Sequence, residues 1–255
     1  MATSQSTSTC PECKGRGWVL YSSSEGTEDI YGCPVEVDYA KPCPACKGFT
    51  KATLDLTGVP DCYREVDIYK FDWDVYGMDT SPIKKVAFSF VNEFEKWETA
   101  GEGIYLCSKT PGSGKTMLAC CMAKSAMMRT NKRMKFVTAT DYINAVGNYY
   151  EARKASPGCL DESQKYRECD ILVLDDIGAQ KTGEWQDQEL FRLINERIVK
   201  GRITIYTSNL PQEKLNVDER TISRIMKSAM QIRMPEVSVR KEMANQRHSE
   251  FIKNL

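Results

Sequence analysis

No stretch of the 255-residue sequence approaches the roughly 18 consecutive apolar residues that a membrane-spanning helix needs, so no membrane partner is expected. The first residues, MATSQSTST, have neither the basic start nor the apolar stretch of a secretory signal. An excess of charge of either sign is also missing: 35 Lys and Arg balance 35 Asp and Glu. Any nucleic-acid contact must then come from a local patch rather than from the whole surface. Histidine is nearly absent, and the single copy, His248, stands in no constellation and is assigned no role. Cysteine, at 11 residues, is plentiful. In a chain without a secretory signal that abundance points to reduced thiols and a metal site rather than to a disulfide framework. A cytoplasmic protein is the resulting expectation.

Residues 1–55 differ in character from the rest. After a Ser/Thr-rich start they read CPECKGRGWVL, a polar stretch, and KPCPACKGF. Cys10 and Cys13 form one C-x-x-C pair, and Cys43 and Cys46 the other. Four thiolates at this spacing close a tetrahedral Zn2+ site, and the Lys-Gly after each pair lets the chain turn back so that backbone amides face the sulfurs. The stretch between the pairs is longer than in a usual zinc ribbon but can be bridged by a hairpin. Unrelated reduced cysteines would not repeat the CPxCKG unit, and a redox C-x-x-C lacks its βαβ context. Cys33 is the alternative for one of the four ligands. A site closed by four thiolates leaves no open position for catalysis.

Residues 56–80 form an aromatic-rich linker without a clear period; Tyr69, Phe71, Trp73 and Tyr76 belong either to an extended strap packed on the following domain or to a wall for a nucleotide base. From residue 81 to 255 the pattern sharpens. Ser81 reads as a helix cap with Pro82 at the first helical position. Ile83, Val86, Ala87, Phe90, Val91, Phe94 and Trp97 then mark one helical face that ends near Gly101. The strand-like GIYLC, the loop SKTPGSG and the helix-like KTMLACCMAKSAMM follow. Strand, glycine-rich loop and helix are the context of a phosphate-binding loop, in which successive amides converge on phosphates and side chains must be absent where they approach. Lys115 would reach the β- and γ-phosphates and Thr116 would offer a hydroxyl to magnesium. The usual first glycine of this loop is replaced by Lys109.

The counterpart is CDILVLDDIG, whose run Ile171–Leu174 suits a strand buried in a parallel sheet. Asp175 and Asp176 stand at its carboxyl end, where α/β sheets place their ligands. Asp175 would hold magnesium and Asp176 would orient an attacking water. A further strand, ITIYTSN, ends in Asn209, whose amide could reach both the γ-phosphate and that water.

PGSGKT, LVLDDIG, YTSN, the helix TISRI and SVRK, in this order, resemble the AAA+ helicase loaders of the DnaC/DnaI type and the related IstB transposition ATPases, over roughly residues 56–255. The cysteine-rich front end resembles the zinc-binding modules of some phage and prophage loaders. The resemblance implies an α/β P-loop AAA+ core with a five-stranded parallel sheet, preceded by a small N-terminal zinc-binding domain. Little sequence remains after SVRKEM for a separate helical lid. It also implies ATP with Mg2+ at Pro111, Gly112, Ser113, Gly114, Lys115, Thr116, Met117 and Asp175. By motif position Asn209 becomes sensor 1, Arg224 an arginine finger that acts on a neighbouring subunit, and Arg240 the sensor 2 arginine. Together with Lys115 and Asp176 these would carry hydrolysis.

Many AAA+ ATPases have Glu where this chain has Asp176; the shorter carboxylate sits about one bond further from the water, so slow hydrolysis is expected. The stretch ATDYINAVGNYYEARKAS offers Tyr142, Tyr149 and Tyr150 with Arg153 and Lys154, a composition that stacks bases and neutralises single strands, although a core-packing helix reads equally well. Residues 220–255 hold eight Lys or Arg and three Asp or Glu, a basic end on a neutral protein. The expected function is an ATP-hydrolysing helicase loader that self-associates through Arg224, engages a hexameric replicative helicase and helps place it on single-stranded DNA. The alternatives are an IstB-like transposition ATPase and a zinc-containing DNA-binding adaptor that uses ATP only as a switch.

Overall fold

The computed structural model describes residues 12, 18–23, 37–42, 56–130, 132–156, 158–180, 183–242, 244 and 251–252. Cys10, Cys13, Cys33, Cys43, Cys46 and His248 lie outside them. The chain divides into two compact units between Thr57 and Gly58. In the first, β1 (Trp18–Ser23) and β2 (Val37–Pro42) pair antiparallel, with Trp18 opposite Pro42 and Ser23 opposite Val37.

The second unit is built on a parallel sheet of five strands: β3 (Gly103–Cys107), β4 (Met134–Thr138), β5 (Ile171–Asp175), β6 (Ile203–Ser208) and β7 (Ala229–Arg233). Their spatial order is β4-β5-β6-β3-β7, with every neighbouring pair parallel. The three central strands are buried along their whole length, whereas the edge strands β4 and β7 alternate in burial. That is why β3 and β5 read as apolar runs, while β6 adds buried hydroxyls of Thr204, Thr207 and Ser208: helices and loops cover both faces of a parallel sheet.

Ahead of β3 the expected single helix is two, α1 (Ser81–Asn92) and α2 (Phe94–Ala100). They part at Glu93, whose φ of −123° and ψ of 33° leave helical geometry, and the cap is Thr80 rather than Ser81, with Pro82 in the first turn. Gly101 closes α2 at a positive φ of 64°. Phe90 joins both helices, packing edge-on against Phe94 and Trp97 with ring centroids 5.4 and 5.5 Å away.

Helix α3 (Lys115–Thr130) follows the loop and is buried almost all round. The sheet and α1 cover part of it, and residues 58–76, a strap of three short 3-10 turns, cover the rest. Lys124 Nζ donates to the carbonyls of Tyr63 and Arg64, Cys121 Sγ to that of Val66, and the Ile68 amide to Ser125 Oγ. Strap residues Val59, Ile68, Phe71, Trp73 and Tyr76 are buried.

Helices α4 (Ala139–Ala155), α5 (Gln164–Glu168), α6 (Glu184–Val199) and α7 (Glu219–Ser228) complete the layers. At the amino end of the sheet lies Arg197, fully buried without a carboxylate partner. Its guanidinium instead donates to Thr204 Oγ1 and to the carbonyls of Tyr166, Cys169 and Ile203, joining α5, β5, α6 and β6. After β7 the chain crosses the carboxyl edge of the sheet and turns helical from residue 239. No described helix is long and apolar enough to cross a membrane.

Candidate functional site

The loop 108–114 leaves the carboxyl end of β3 and runs into the amino end of α3, so the strands deliver it to the edge where β5 and β6 also end. Gly112 and Gly114 have φ of 76° and 88°, a region that side chains rarely adopt. The protein itself also leaves them no room. A Cβ on Gly112 would meet Arg240 Cβ at 2.9 Å, and one on Gly114 would meet the Tyr76 hydroxyl at 2.6 Å. The glycines are therefore needed against the protein's own walls as well as for any phosphate. Lys109 adopts no positive φ, its side chain is exposed, and its turn needs no glycine.

The amides of Gly112, Ser113, Gly114 and Lys115 find no acceptor among the described residues, and α3 adds the positive end of its dipole behind them. Lys115 is buried, and its ammonium donates to the Ser108 and Thr110 carbonyls at 3.2 and 3.4 Å and to Ser113 Oγ at 3.3 Å. Burial lowers its pKa, while the charges of Asp176, Glu236 and Asp175 act the other way. Behind the loop the Tyr76 hydroxyl donates to the Ser113 carbonyl at 2.9 Å. Burial and the charge of Asp72 push that phenol up to about 12, so it remains a donor.

Opposite the loop, Asp175 ends β5 and is buried. Burial pushes its carboxyl up, and hydrogen bonds from Thr207 and Thr116 hold it back. Thr207 Oγ1, on β6, donates to Asp175 Oδ1 at 2.6 Å and accepts the Asp176 amide at 2.9 Å. Asp176 itself has a φ of 54°, the left-handed region in which aspartate is one of the few tolerated side chains. Its Oδ1 lies 3.5 Å from Asn209 Nδ2. Lys115, Thr116, Asp175, Asp176 and Asn209 thus converge at one edge of the sheet.

Arg240 joins them from the last described helical turn. Its amide donates to the Gly112 carbonyl at 3.2 Å, and its side chain lies near Tyr63, whose phenol its charge acts to lower. Pro111 is exposed at the outer tip of the loop and Met117 half-buried in the first turn of α3. Arg224 is not brought to this edge. It stands half-buried on α7 with no ion-pair partner among the described residues, whereas Arg220 on the same helix is held by Asp218 at 3.0 Å and lies over the Phe191 ring.

The aromatic stretch on α4 needs one correction. Tyr142 is fully buried, with its hydroxyl accepting from Arg167 Nε at 3.2 Å, and belongs to the core rather than to a binding surface. Tyr149 and Tyr150 are half-buried with ring centroids 5.8 Å apart, and Arg153 and Lys154 are exposed.

Thr207 and Glu236 escape a reading of motifs, whereas Tyr76 was named as a strap or base-wall residue and is found backing the loop. Thr207 had one usable signal: it precedes Asn209 by two residues, the period that returns a strand to the same face. Glu236 acts from across the chain and carries no local signal.

With Mg2+, the donor set asks for help from phosphate oxygens. Among the described residues no cluster of three or more His, Cys, Asp or Glu could hold a metal ion, but a Thr hydroxyl beside a buried carboxylate suits an ion that is shared with a nucleotide.

A family model described as IstB-like ATP binding protein matches residues 62–245. The chromosomal replication initiator protein DnaA of Mycoplasma pneumoniae is 27% identical over 115 residues, 44% of this chain and 26% of that protein. The chain therefore spans about a quarter of that relative's length. A crystal structure of the DnaC helicase loader aligns with a TM-score of 0.58 at 20% identity, over 69% of this chain and 99% of that one. A replication initiator DnaA bound to AMPPCP and single-stranded DNA aligns with a TM-score of 0.55 at 20% identity, over 69% of this chain and 50% of that one. The shared fold is the α/β P-loop AAA+ fold.

Proposed function

Because the chain belongs to the IstB-like ATP binding protein family, we propose that it is a slow, assembly-coupled ATPase that engages a hexameric replicative helicase and helps load it on single-stranded DNA. The observation that carries this reading is the convergence of Lys115, Thr116, Asp175, Asp176 and Asn209 on one sheet edge, tied by Thr207. The free amides of the loop and the Lys115 ammonium bind the phosphates, with Pro111 and Met117 at the borders of that cradle. Thr116 and Asp175 would hold Mg2+, which supplies charge neutralisation between the phosphates. Asp176 accepts a hydrogen bond from the attacking water, Asn209 aligns that water with the γ-phosphate, and Arg240 stabilises charge on the same group. Arg224, without an ion-pair partner among the described residues, suits a finger that completes a neighbour's site, so that hydrolysis depends on self-association.

Residues 1–55 are proposed to bind Zn2+ through Cys10, Cys13, Cys43 and Cys46. The register that sets Trp18 opposite Pro42 brings together the strand ends nearest to the two cysteine pairs. Tyr149, Tyr150, Arg153 and Lys154 are the proposed DNA contacts. The likeness to a helicase loader over 99% of its solved chain supports the loader role. The family description supports a second reading, a transposition ATPase that acts with a transposase. The deciding experiment is co-purification with a ring helicase, together with ATPase assays with and without single-stranded DNA. Helicase capture with DNA-stimulated hydrolysis is expected. Transposase capture would replace the first reading with the second.

A further inference from the structure

Within the first turn of the phosphate loop, the Thr110 amide reaches only Ser108 Oγ, at 3.2 Å, and the turn is clasped from outside as well. The clasp is Glu236, three residues beyond the end of β7. Its Oε1 accepts the Lys109 amide at 3.0 Å. Its Oε2 accepts the Thr110 amide and the Thr110 hydroxyl, each at 2.7 Å, and the Ser108 hydroxyl at 3.1 Å. Bonds of this kind to an ionised acceptor are about twice as strong as neutral ones. We propose that Glu236 is a positioning residue for the nucleotide site, which orders Ser108 and Thr110 so that their carbonyls seat the Lys115 ammonium. The proposal rests on the reading of this loop as an ATP site.

Three observations support it. Ser108 and Thr110, which Glu236 holds through their donors, are the residues whose carbonyls accept from Lys115 Nζ. The segment that carries Glu236 is itself anchored on both sides: the Met234 amide donates to the Cys107 carbonyl at 2.7 Å, and the Arg240 amide to the Gly112 carbonyl at 3.2 Å. Slight burial would raise the Glu236 carboxyl, but the bonds from Thr110, Lys109 and Ser108 hold it down at about 2, so it is ionised at neutral pH. A carboxylate beside a phosphate site would repel the ligand if it did nothing else. Its engagement with four donors makes it a fixed part of the cradle instead.

The test uses the full chain and titration with a fluorescent ATP analogue, together with steady-state hydrolysis and thermal melts. Glu236→Ala is expected to weaken nucleotide binding about tenfold, the scale of one or two charge-assisted hydrogen bonds. Glu236→Gln should recover most of that loss, because an amide oxygen at the Oε2 position keeps three of the four bonds. The melts of both variants should stay within a few degrees of the parent. Thr110→Val supplies a second route: it should weaken binding in the parent and add nothing in Glu236→Ala. Binding by Glu236→Ala as tight as by the parent, or tighter, overturns the positioning role and leaves the ATP site standing. A parent chain that binds no nucleotide overturns the site and this proposal together.

Discussion

Thr207 binds Asp175 through a 2.6 Å hydrogen bond and receives the Asp176 amide on the same oxygen. One hydroxyl therefore sets the spacing of the two acids, each of which has a different proposed task. Thr207→Val keeps the shape and removes the bond. The buried Asp175 oxygen then loses a donor, at a stability cost of about 1–2 kcal/mol. Hydrolysis should fall about tenfold, with nucleotide affinity changed less. Urea unfolding and ATPase assays measure the two effects separately.

The pKa of Asp175 predicts a trade between stability and activity. Folding raises this carboxyl through burial, so the folded chain holds its proton more tightly than the unfolded one. The stabilisation that follows is complete below the ordinary carboxylate value and is lost as pH rises through the raised folded value. Above that, the ionised side chain is a net burden on the fold. Asp175→Asn should consequently melt a few degrees higher than the parent at pH 8, with the difference shrinking towards pH 4, while hydrolysis disappears. Melting curves at the two pH values and one activity assay test this.

Gly114 carries two constraints that a pair of variants can separate. Gly114→Ala places a Cβ at a φ of 88° and within 2.6 Å of the Tyr76 hydroxyl, and nucleotide binding should be lost. Tyr76→Phe alone removes a hydrogen bond to the Ser113 carbonyl and should cost about 1 kcal/mol of stability. In the double variant the close contact is relieved while the backbone strain, on the order of 1–2 kcal/mol, remains. Partial recovery of binding is the expected result by calorimetry. No recovery would mean that the backbone conformation alone demands glycine.

Arg197 predicts a large effect far from the site. Its buried guanidinium reaches four carbonyls and the Thr204 hydroxyl. Arg197→Met leaves the Cys169 and Ile203 carbonyls without this donor, and a loss of about 2–4 kcal/mol is expected at roughly 1–2 kcal/mol for each. The measurement is the urea midpoint at constant m-value.

What could be read beforehand was whatever leaves a local trace. Strands β3 and β5 are apolar runs because both their faces are covered, and the loop glycines and the Asp175–Asp176 pair stand at the end of such a run, while Asn209 follows the equally buried but Thr-containing β6. The aromatics of residues 56–80 announced a strap packed on the following domain, but its 3-10 turns have no sustained period, and its hold on α3 depends on backbone carbonyls that any residue could offer. Tyr142 was counted among surface aromatics because composition does not tell the inner face of α4 from the outer one. The break at Glu93 has no breaker residue to announce it. Thr207, Tyr76 and Glu236 reach the site across 31, 37 and 126 residues of chain, distances over which no motif is written.

That last separation has a consequence for how the protein is made. The phosphate loop leaves the ribosome more than a hundred residues before the carboxylate that clasps its entry. During synthesis the nascent chain must pass through a stage in which strands β3 to β6 can pair while the loop has no clasp. On the proposed role of Glu236, a nascent chain that has not yet reached residue 236 would hold ATP about tenfold more weakly than one that has passed it.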